Sequence, residues 1–447
     1  MGQALVTDLY ELKMAASYLR RAMTGTATFS LFVRELPATR GFVVAAGLED
    51  CLDYLESFGF EEEDLAWLGA HGFDDGMLGA LAATRFTGDV HAVAEGTVLF
   101  AGEPLLEVTA PLHEAQLVES FLLNQLTYQT SLASKAVRCT LAAGDIELVD
   151  FALRRTHGTE ASMAVARAAA IAGFTGTSNV EAARRFGLVA AGTMAHSYVE
   201  AFEDETAAFA AFADDLPGPY TFLVDTYDTV EGVRRAAAFI GSRDLPPPLS
   251  VRIDSGDLGT LAFDARKILD AAGLHDVKIF LSGALDEYAL DRLRETGAPV
   301  DAAGIGTRFG VSADAPYLDT VYKLVSFEGR PIVKLSPGKE TLPGPKQVWR
   351  RLGAPDLLAG RDETGPEGAE PLLQPALRGG RRVAPRGNLA AAHARVQRGL
   401  EWLPDDARRI VDPVPVPIEV SDALQSLQAE TTERLRAKAR RSGAREM

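Results

Sequence analysis

The run Leu188-Val-Ala-Ala-Gly-Thr-Met-Ala-His-Ser-Tyr-Val199 joins a short apolar stretch to a glycine and then to a histidine. It reads as a buried β-strand over 188–192 that delivers His196 onto a loop at its C-terminal end. Where parallel strands line up, residues just past the strand ends face the ligand, while residues inside the strands fill the core. His196 therefore stands where chemistry is usually done. Alone, it reads more readily as a hydrogen-bonded histidine of a core or loop, so its neighbours must decide.

Working outward, short apolar runs alternate with helical stretches from residue 146 onward. Candidate strands are 146–151, 188–192, 220–225, 249–254, 277–282, 299–304 and 321–326, with helices such as 160–172, 228–240, 258–272 and 285–296 between them. A repeated βα unit implies a parallel sheet, and repetition on this scale favours a closed barrel. With one strand fewer than eight, the expected fold is α/β, an irregular (β/α) TIM-like barrel with an N-terminal α/β domain and a C-terminal extension. The expected boundaries are 1–142, 143–330 and 331–447, the extension packing on the N-terminal domain.

Ahead of the barrel, 7–19 is roughly helical with Asp8 and Tyr10 in its first turn, 26–34 alternates as a strand, and 42–58 and 60–69 read as helices. Residues 86–110 give short strands broken at Glu95-Gly96 and Gly102-Glu-Pro104, a small antiparallel unit, and 113–142 is helical. Residues 353–390 read as a long loop or linker, and 421–441 as an exposed helix ending in Arg440-Arg441.

The 447 residues carry a net charge of −17, which argues against nucleic acid as a partner. No apolar run is long enough for a membrane span, and the first residues lack a basic stretch followed by an apolar one, so a cytoplasmic protein is expected. Cys51 and Cys139 form neither a disulfide framework nor a metal-ligand pattern, and zinc or iron–sulfur chemistry is not expected.

Polar residues gather at five of the expected strand ends. They are Arg154-Arg155-Thr-His157, Asp225-Thr-Tyr-Asp228, Arg252-Ile-Asp254-Ser-Gly-Asp257, Ser282-Gly283 and Gly304-Ile-Gly306-Thr307-Arg308. A single such end is a helix cap or turn, but five together suggest a site. Ser282-Gly283 and Gly304-Ile-Gly306-Thr307 leave backbone N–H groups free for a phosphate, or are ordinary βα turns. Asp254 and Asp257 suit Mg²⁺ and helix capping about equally. Arg154, Arg155 and Arg252 suggest an anionic substrate, and Arg252, inside an apolar strand, requires a partner.

In this order and spacing the residues resemble the nicotinate phosphoribosyltransferase family. The resemblance rests on Thr7-Asp8-Leu-Tyr10, Phe151-Ala-Leu-Arg-Arg155, Gly176-Thr-Ser-Asn179, Gly192-Thr-Met-Ala-His196-Ser, Arg252-Ile-Asp-Ser-Gly-Asp257, Gly304-Ile-Gly-Thr307 and Lys334-Leu-Ser-Pro. It implies an ATP-dependent, C–N bond-forming enzyme of NAD biosynthesis that joins nicotinate to 5-phosphoribosyl 1-diphosphate. ATP hydrolysis would be coupled through a phosphohistidine, which His196 matches, and Mg²⁺ would be required. By the same resemblance Tyr10, from a second subunit, and Phe151 sandwich the pyridine, with Thr193, Arg154 and Arg252 about its carboxylate. Asp254, with Asp225 and Asp257, would hold metal or ribose hydroxyls, while Arg155, Ser282, Gly283, Gly304, Gly306 and Thr307 would take the phosphoribosyl group. His196, Asp254 and Arg252 form the implied catalytic set, and a shared site implies a homodimer.

In the similar nicotinamide enzymes an aspartate stands where Ser178 stands here, and a neutral Ser178 favours nicotinate. Two rivals remain: an ATP-independent quinolinate phosphoribosyltransferase, and a nucleotide-binding barrel without turnover.

Overall fold

The computed structural model describes residues 3–336, 341–383 and 385–443. Pro337 of the Lys334-Leu-Ser-Pro run and the side chains of Arg440 and Arg441 lie outside the described residues. Two compact units are present: residues 132–316 with 410–412, and residues 1–131 with 317–409 and 413–447. These replace the three expected segments, because the C-terminal third completes the N-terminal sheet. Thr320–Phe327 pairs antiparallel with Thr26–Val33, and Gln374–Arg378 pairs antiparallel with Asp89–Ala92. Each pairing covers a strand edge that would otherwise present unpaired backbone groups.

The unit around 132–316 holds a six-stranded parallel sheet in the order Gly176–Thr177, Glu147–Asp150, Ala302–Ile305, Lys278–Leu281, Leu249–Ile253, Tyr220–Leu223. The last strand of the unit, Ala302–Ile305, lies beside the first, Glu147–Asp150, as it would in a barrel. The ring nevertheless stays open. The expected 188–192 strand makes only one bridge, Ala190 to Thr177, and no ladder joins it to Tyr220–Leu223. Val189 is two-thirds exposed, so this apolar run lacks the cover that would make it a core strand.

Two further corrections apply to the expected barrel. Gly176–Thr177 is a strand that period-based reading passes over because two residues carry no pattern. The 321–326 run is a strand, but it belongs to the other unit.

Helices follow the strands for local reasons. Asp228, Asp257 and Asp286 each accept a hydrogen bond from a first-turn backbone N–H of the helices Thr229–Gly241, Leu258–Ala271 and Glu287–Glu295. Thr229–Gly241 buries Val233, Ala236, Ala237 and Ile240, one helical face, against the sheet side where Val251, Ile253, Ile279 and Leu281 are fully buried. The alternate strand residues Arg252 and Phe280, paired in register, face the other side.

The second unit is built on a seven-stranded sheet that includes Thr26–Val33, Pro104–Pro111, Asp89–Ala92 and Thr320–Phe327. The antiparallel element is thus much larger than expected. Residues 353–390, expected as a loop, contribute the strands Leu357–Gly360, Glu370–Pro371, Gln374–Arg378 and Arg381–Arg382. Among the described residues no helix is long and apolar enough to cross a membrane.

His91 lies in this sheet opposite Glu107, whose carboxylate holds Lys346 and Arg361. Burial, then the charges of Arg361 and Arg378, pull the His91 imidazole from the usual value near 6.5 down to about 4. A folded-state value below the unfolded one means that the unfolded chain binds more protons between the two. Stability conferred by the neutral ring is full above pH 6.5 and is lost as the pH falls toward 4, on the order of 3 kcal/mol in all. Thermal unfolding followed across that window should show a falling midpoint, and His91→Gln should flatten the slope.

Candidate active site

All the expected site residues except Tyr10 lie in the unit around 132–316, at or near the C-terminal ends of its parallel strands. The centre is Arg252, on the Leu249–Ile253 strand and 8% exposed. Its Nε donates to Ser282 Oγ at 2.8 Å, and one terminal nitrogen donates to Thr193 Oγ1 at 2.7 Å and the Met194 carbonyl at 3.1 Å. The other donates to Asp254 Oδ1 at 2.7 Å. Ser282, in turn, donates to the same Asp254 oxygen at 2.5 Å. Burial pushes the Asp254 carboxyl up, but hydrogen bonds from Ser282 and Arg252, with the Arg252 charge, outweigh it and hold the group below the usual carboxylate range.

His196 opens a five-residue helix, His196–Glu200, rather than lying in a loop after a strand. Its Nδ1 is 3.2 Å from Thr226 Oγ1, and its Nε2 is 3.8 Å from Asp225 Oδ1 and 4.0 Å from Asp254 Oδ2. The other Asp225 oxygen accepts from Asp254 N at 3.0 Å and Ser255 Oγ at 2.6 Å. Asp225 Oδ1 is buried without a hydrogen-bond partner, which is costly unless a donor or cation completes it. Thr226 is a member of the site that sequence reading passed over; its signal was its place in the polar run Asp225-Thr-Tyr-Asp228.

Beside this cluster is a cavity of about 290 Å³ whose walls include Phe151, Arg154, Ser178, Thr193 and Arg252. Arg154 sits on the short 3₁₀ turn Leu153–Arg155, is exposed, and makes no hydrogen bond or ion pair among the described residues. With Arg252 already engaged, Arg154 is the wall cation left to meet an anion. Ser178 follows the Gly176–Thr177 strand, with its N–H bonded to the Asp150 carbonyl. Asp150, buried and holding Thr177 Oγ1 and Ala152 N, braces two neighbouring strand ends; burial raises its carboxyl above the ordinary value.

Several expected residues stand differently from their assignments. Asp257 caps the helix Leu258–Ala271 through Thr260, is fully exposed, and points to capping rather than metal binding. Among the described residues no group of three or more His, Cys, Asp or Glu is placed to hold a metal ion. Ser282 is 1% exposed and its hydroxyl is spent between Arg252 and Asp254, so it is not open to a phosphate. Gly304 is buried inside the Ala302–Ile305 strand rather than beyond its end. Gly306 and exposed Thr307 do stand past that end, and Gly283 turns with φ +85° where a Cβ would come within 2.0 Å of the Asp254 carbonyl. Arg155 is exposed on the same turn as Arg154 but is not part of the cavity wall. Tyr10 lies in the other unit, half-exposed on the helix Leu9–Arg20, with burial and the Glu119 and Glu11 carboxylates pushing its phenol up.

Three sequence-family models match the chain: the nicotinate phosphoribosyltransferase N-terminal domain over residues 5–127, the nicotinate phosphoribosyltransferase family over 146–275, and the nicotinate phosphoribosyltransferase C-terminal domain over 358–428. Nicotinate phosphoribosyltransferase pncB2 of Mycobacterium tuberculosis is 46% identical over 434 residues, covering 94% of this chain and 92% of that protein. The chain belongs to the nicotinate phosphoribosyltransferase family. A human nicotinate phosphoribosyltransferase is 31% identical, covering 95% of this chain and 96% of its own. The crystal structure of human nicotinic acid phosphoribosyltransferase superposes with a TM-score of 0.84 at 30% identity, over 95% of this chain and 99% of that one. A nicotinate-nucleotide pyrophosphorylase from Pyrococcus furiosus superposes with a TM-score of 0.75 at 26% identity, over 89% and 95%. Of the segments matched to the nicotinate phosphoribosyltransferase family, the middle one holds Phe151, Arg154, Ser178, Thr193, His196, Asp225, Arg252 and Asp254.

Arg252→Lys keeps the charge but cannot reach Ser282, Thr193, Met194 and Asp254 together. Leaving buried partners unsatisfied costs about 1–3 kcal/mol. The thermal midpoint should therefore fall by roughly 2–4 °C for each kcal/mol lost. An unchanged midpoint would mean that the guanidinium does not hold these strand ends.

Proposed function

We propose that the chain transfers a phosphoribosyl group from 5-phosphoribosyl 1-diphosphate to nicotinate, forming nicotinate mononucleotide and diphosphate for NAD biosynthesis. The observation that carries this reading is the juxtaposition of an aromatic and cationic cavity, with Phe151 and uncommitted Arg154 in its wall, and the His196, Asp225 and Asp254 cluster. In the reaction the pyridine nitrogen forms a bond to the ribose carbon as the bond from that carbon to the diphosphate oxygen breaks. Such a step needs an aimed nucleophile and support for charge on the leaving group.

Phe151, with Tyr10 contributed by the partner of a homodimer, stacks the pyridine, and Arg154 meets its carboxylate. Arg252 orients Thr193 toward the same ring while holding Asp254 in place. Exposed Arg155 and Thr307, with the Gly283 and Gly306 backbone, take the phosphoribosyl phosphate. Asp254 Oδ2, outside any hydrogen bond and partly open to solvent, fits a Mg²⁺ ligand, since this ion is commonly held by one or two carboxylates together with substrate phosphates. When bound, Mg²⁺ would neutralise charge on the departing diphosphate. Asp225 Oδ1 suits a different role. It can accept an Nε2–H from His196, which leaves Nδ1, beside Thr226, as the nitrogen that takes the phosphoryl group of ATP. Hydrolysis of that phosphohistidine would couple ATP to turnover. The homodimer would work in the cytoplasm. A quinolinate substrate calls for cations on two carboxylates, and the cavity wall offers Arg154 beside an already engaged Arg252.

The test is formation of mononucleotide and diphosphate from nicotinate, quinolinate and nicotinamide in turn, with Mg²⁺, with and without ATP. Nicotinate-specific product stimulated by ATP is expected; product from quinolinate alone, or from none of the three, would overturn the proposal. His196→Ala should abolish ATP hydrolysis and its stimulation of turnover, and Asp225→Asn should slow His196 phosphorylation by ~100-fold. Unimpaired ATP hydrolysis in the His196 variant would remove it from the coupling step. Ser178→Asp should raise turnover of nicotinamide relative to nicotinate, because an added carboxylate repels a carboxylate substrate; a wild-type enzyme already using both bases would sink this role for Ser178.

A further inference from the structure

Phe151 does not stand alone in the cavity wall. Its ring stacks on Phe280, with centroids 5.7 Å apart and planes 24° from parallel, and the Arg252 guanidinium lies 5.6 Å from its centroid. Phe280 is on the next strand in register with both Arg252 and Ala302, so its side chain shares their side of the sheet. Gly304, two residues past Ala302, completes the seat. A Cβ there would lie 2.5 and 2.6 Å from Phe151 Cδ2 and Cε2, and 3.1 Å from Phe280 Cε1. One methyl group at 304 would be a wedge between the two rings. Gly304 has no positive φ to account for it, and its place inside a buried strand keeps it from the strand-end phosphate position. What requires a glycine there is the approach of Phe151.

We propose that Gly304 and Phe280 are positioning residues that set the height of Phe151 in the cavity wall and so the space left for the heterocyclic base. The inference rests on the reading that nicotinate binds against Phe151. In a cavity of about 290 Å³, a ring lifted by a methyl group takes its displacement directly from the base. The phosphoribosyl donor, taken by Arg155, Thr307 and the Gly283 and Gly306 backbone beyond the strand ends rather than against the Phe151 ring, keeps its contacts.

The experiment measures KM and kcat for nicotinate and for 5-phosphoribosyl 1-diphosphate in wild type, Gly304→Ala, Phe280→Leu, Phe151→Leu and the Phe151→Leu/Gly304→Ala double variant. Turnover of nicotinate by the wild type establishes the underlying reading; its absence defeats that reading and this inference together. Given that turnover, Gly304→Ala should raise the nicotinate KM by about tenfold or more while the donor KM stays within about twofold. In the Phe151→Leu background, where the smaller side chain leaves room, the same substitution should add less than about twofold, a non-additivity that a general folding defect would not produce. Phe280→Leu should raise the nicotinate KM several-fold, and it carries the test if Gly304→Ala does not fold. A rise in the donor KM alone on Gly304→Ala, additive effects in the double variant, or an unchanged nicotinate KM in Phe280→Leu would overturn the proposal.

Discussion

A guanidinium inside a parallel sheet is the constraint on which this site depends. Arg252 is nearly buried, and a buried charge is tolerated only when its donors are met. Four acceptors meet them: Ser282 on the neighbouring strand end, Asp254 on its own, and Thr193 with the Met194 carbonyl on the segment that leads to His196. That segment makes only one backbone bridge to the sheet, so a side-chain fork, not a strand ladder, ties it to the Leu249–Ile253 strand. Arg252 thereby links the cavity wall to the carboxylates beside His196.

The acidic residues at the strand ends divide into two kinds according to their distance from the following helix. Asp228, Asp257 and Asp286 stand at the residue before a first turn and are used up on its free N–H groups. Asp225 and Asp254 stand three residues earlier, directly past the strands, and turn toward His196. Both kinds are aspartates in similar surroundings in the sequence. In the sequence both Asp254 and Asp257 were open to capping or metal binding; the spacing to the observed helix start makes Asp257 the cap and leaves Asp254 to Arg252 and Ser282.

Much of the sheet was legible. The runs 249–254, 220–225 and 277–282 become strands within a residue or two of the expected limits, because apolar runs closed by Asp or Ser and followed by a 3.6-residue period have few alternatives. The misreadings have physical causes. Residues 188–192 are apolar enough for a strand but have no second neighbour to pair with, and 321–326 looks like a barrel strand although its hydrogen bonds go to Thr26–Val33 almost three hundred residues away. Residues 353–390, rich in glycine, proline and charge, form strands because distant segments of their own unit offer them sheet edges. Of the site residues, Arg252 could be read as needing a partner, but Ser282 and Thr193 could not be read as being those partners.

The sequence by itself determined the α/β class, the gathering of polar residues, His196, Arg252 and Asp254 among them, at or near the strand ends, and the family, because these rest on local period, capping chemistry and motif order. Only the tertiary structure decided that the parallel sheet stays open, that the C-terminal third completes the N-terminal sheet, that Ser282 serves Arg252 and Asp254, and that Gly304 lies against Phe151. The reason is the range of the forces. Propensity and capping act within a turn or two of chain, whereas strand pairing, satisfaction of a buried guanidinium and the approach of a ring to a bare Cα join residues from 30 to nearly 300 positions apart, and nothing in the intervening sequence records which partner will be met.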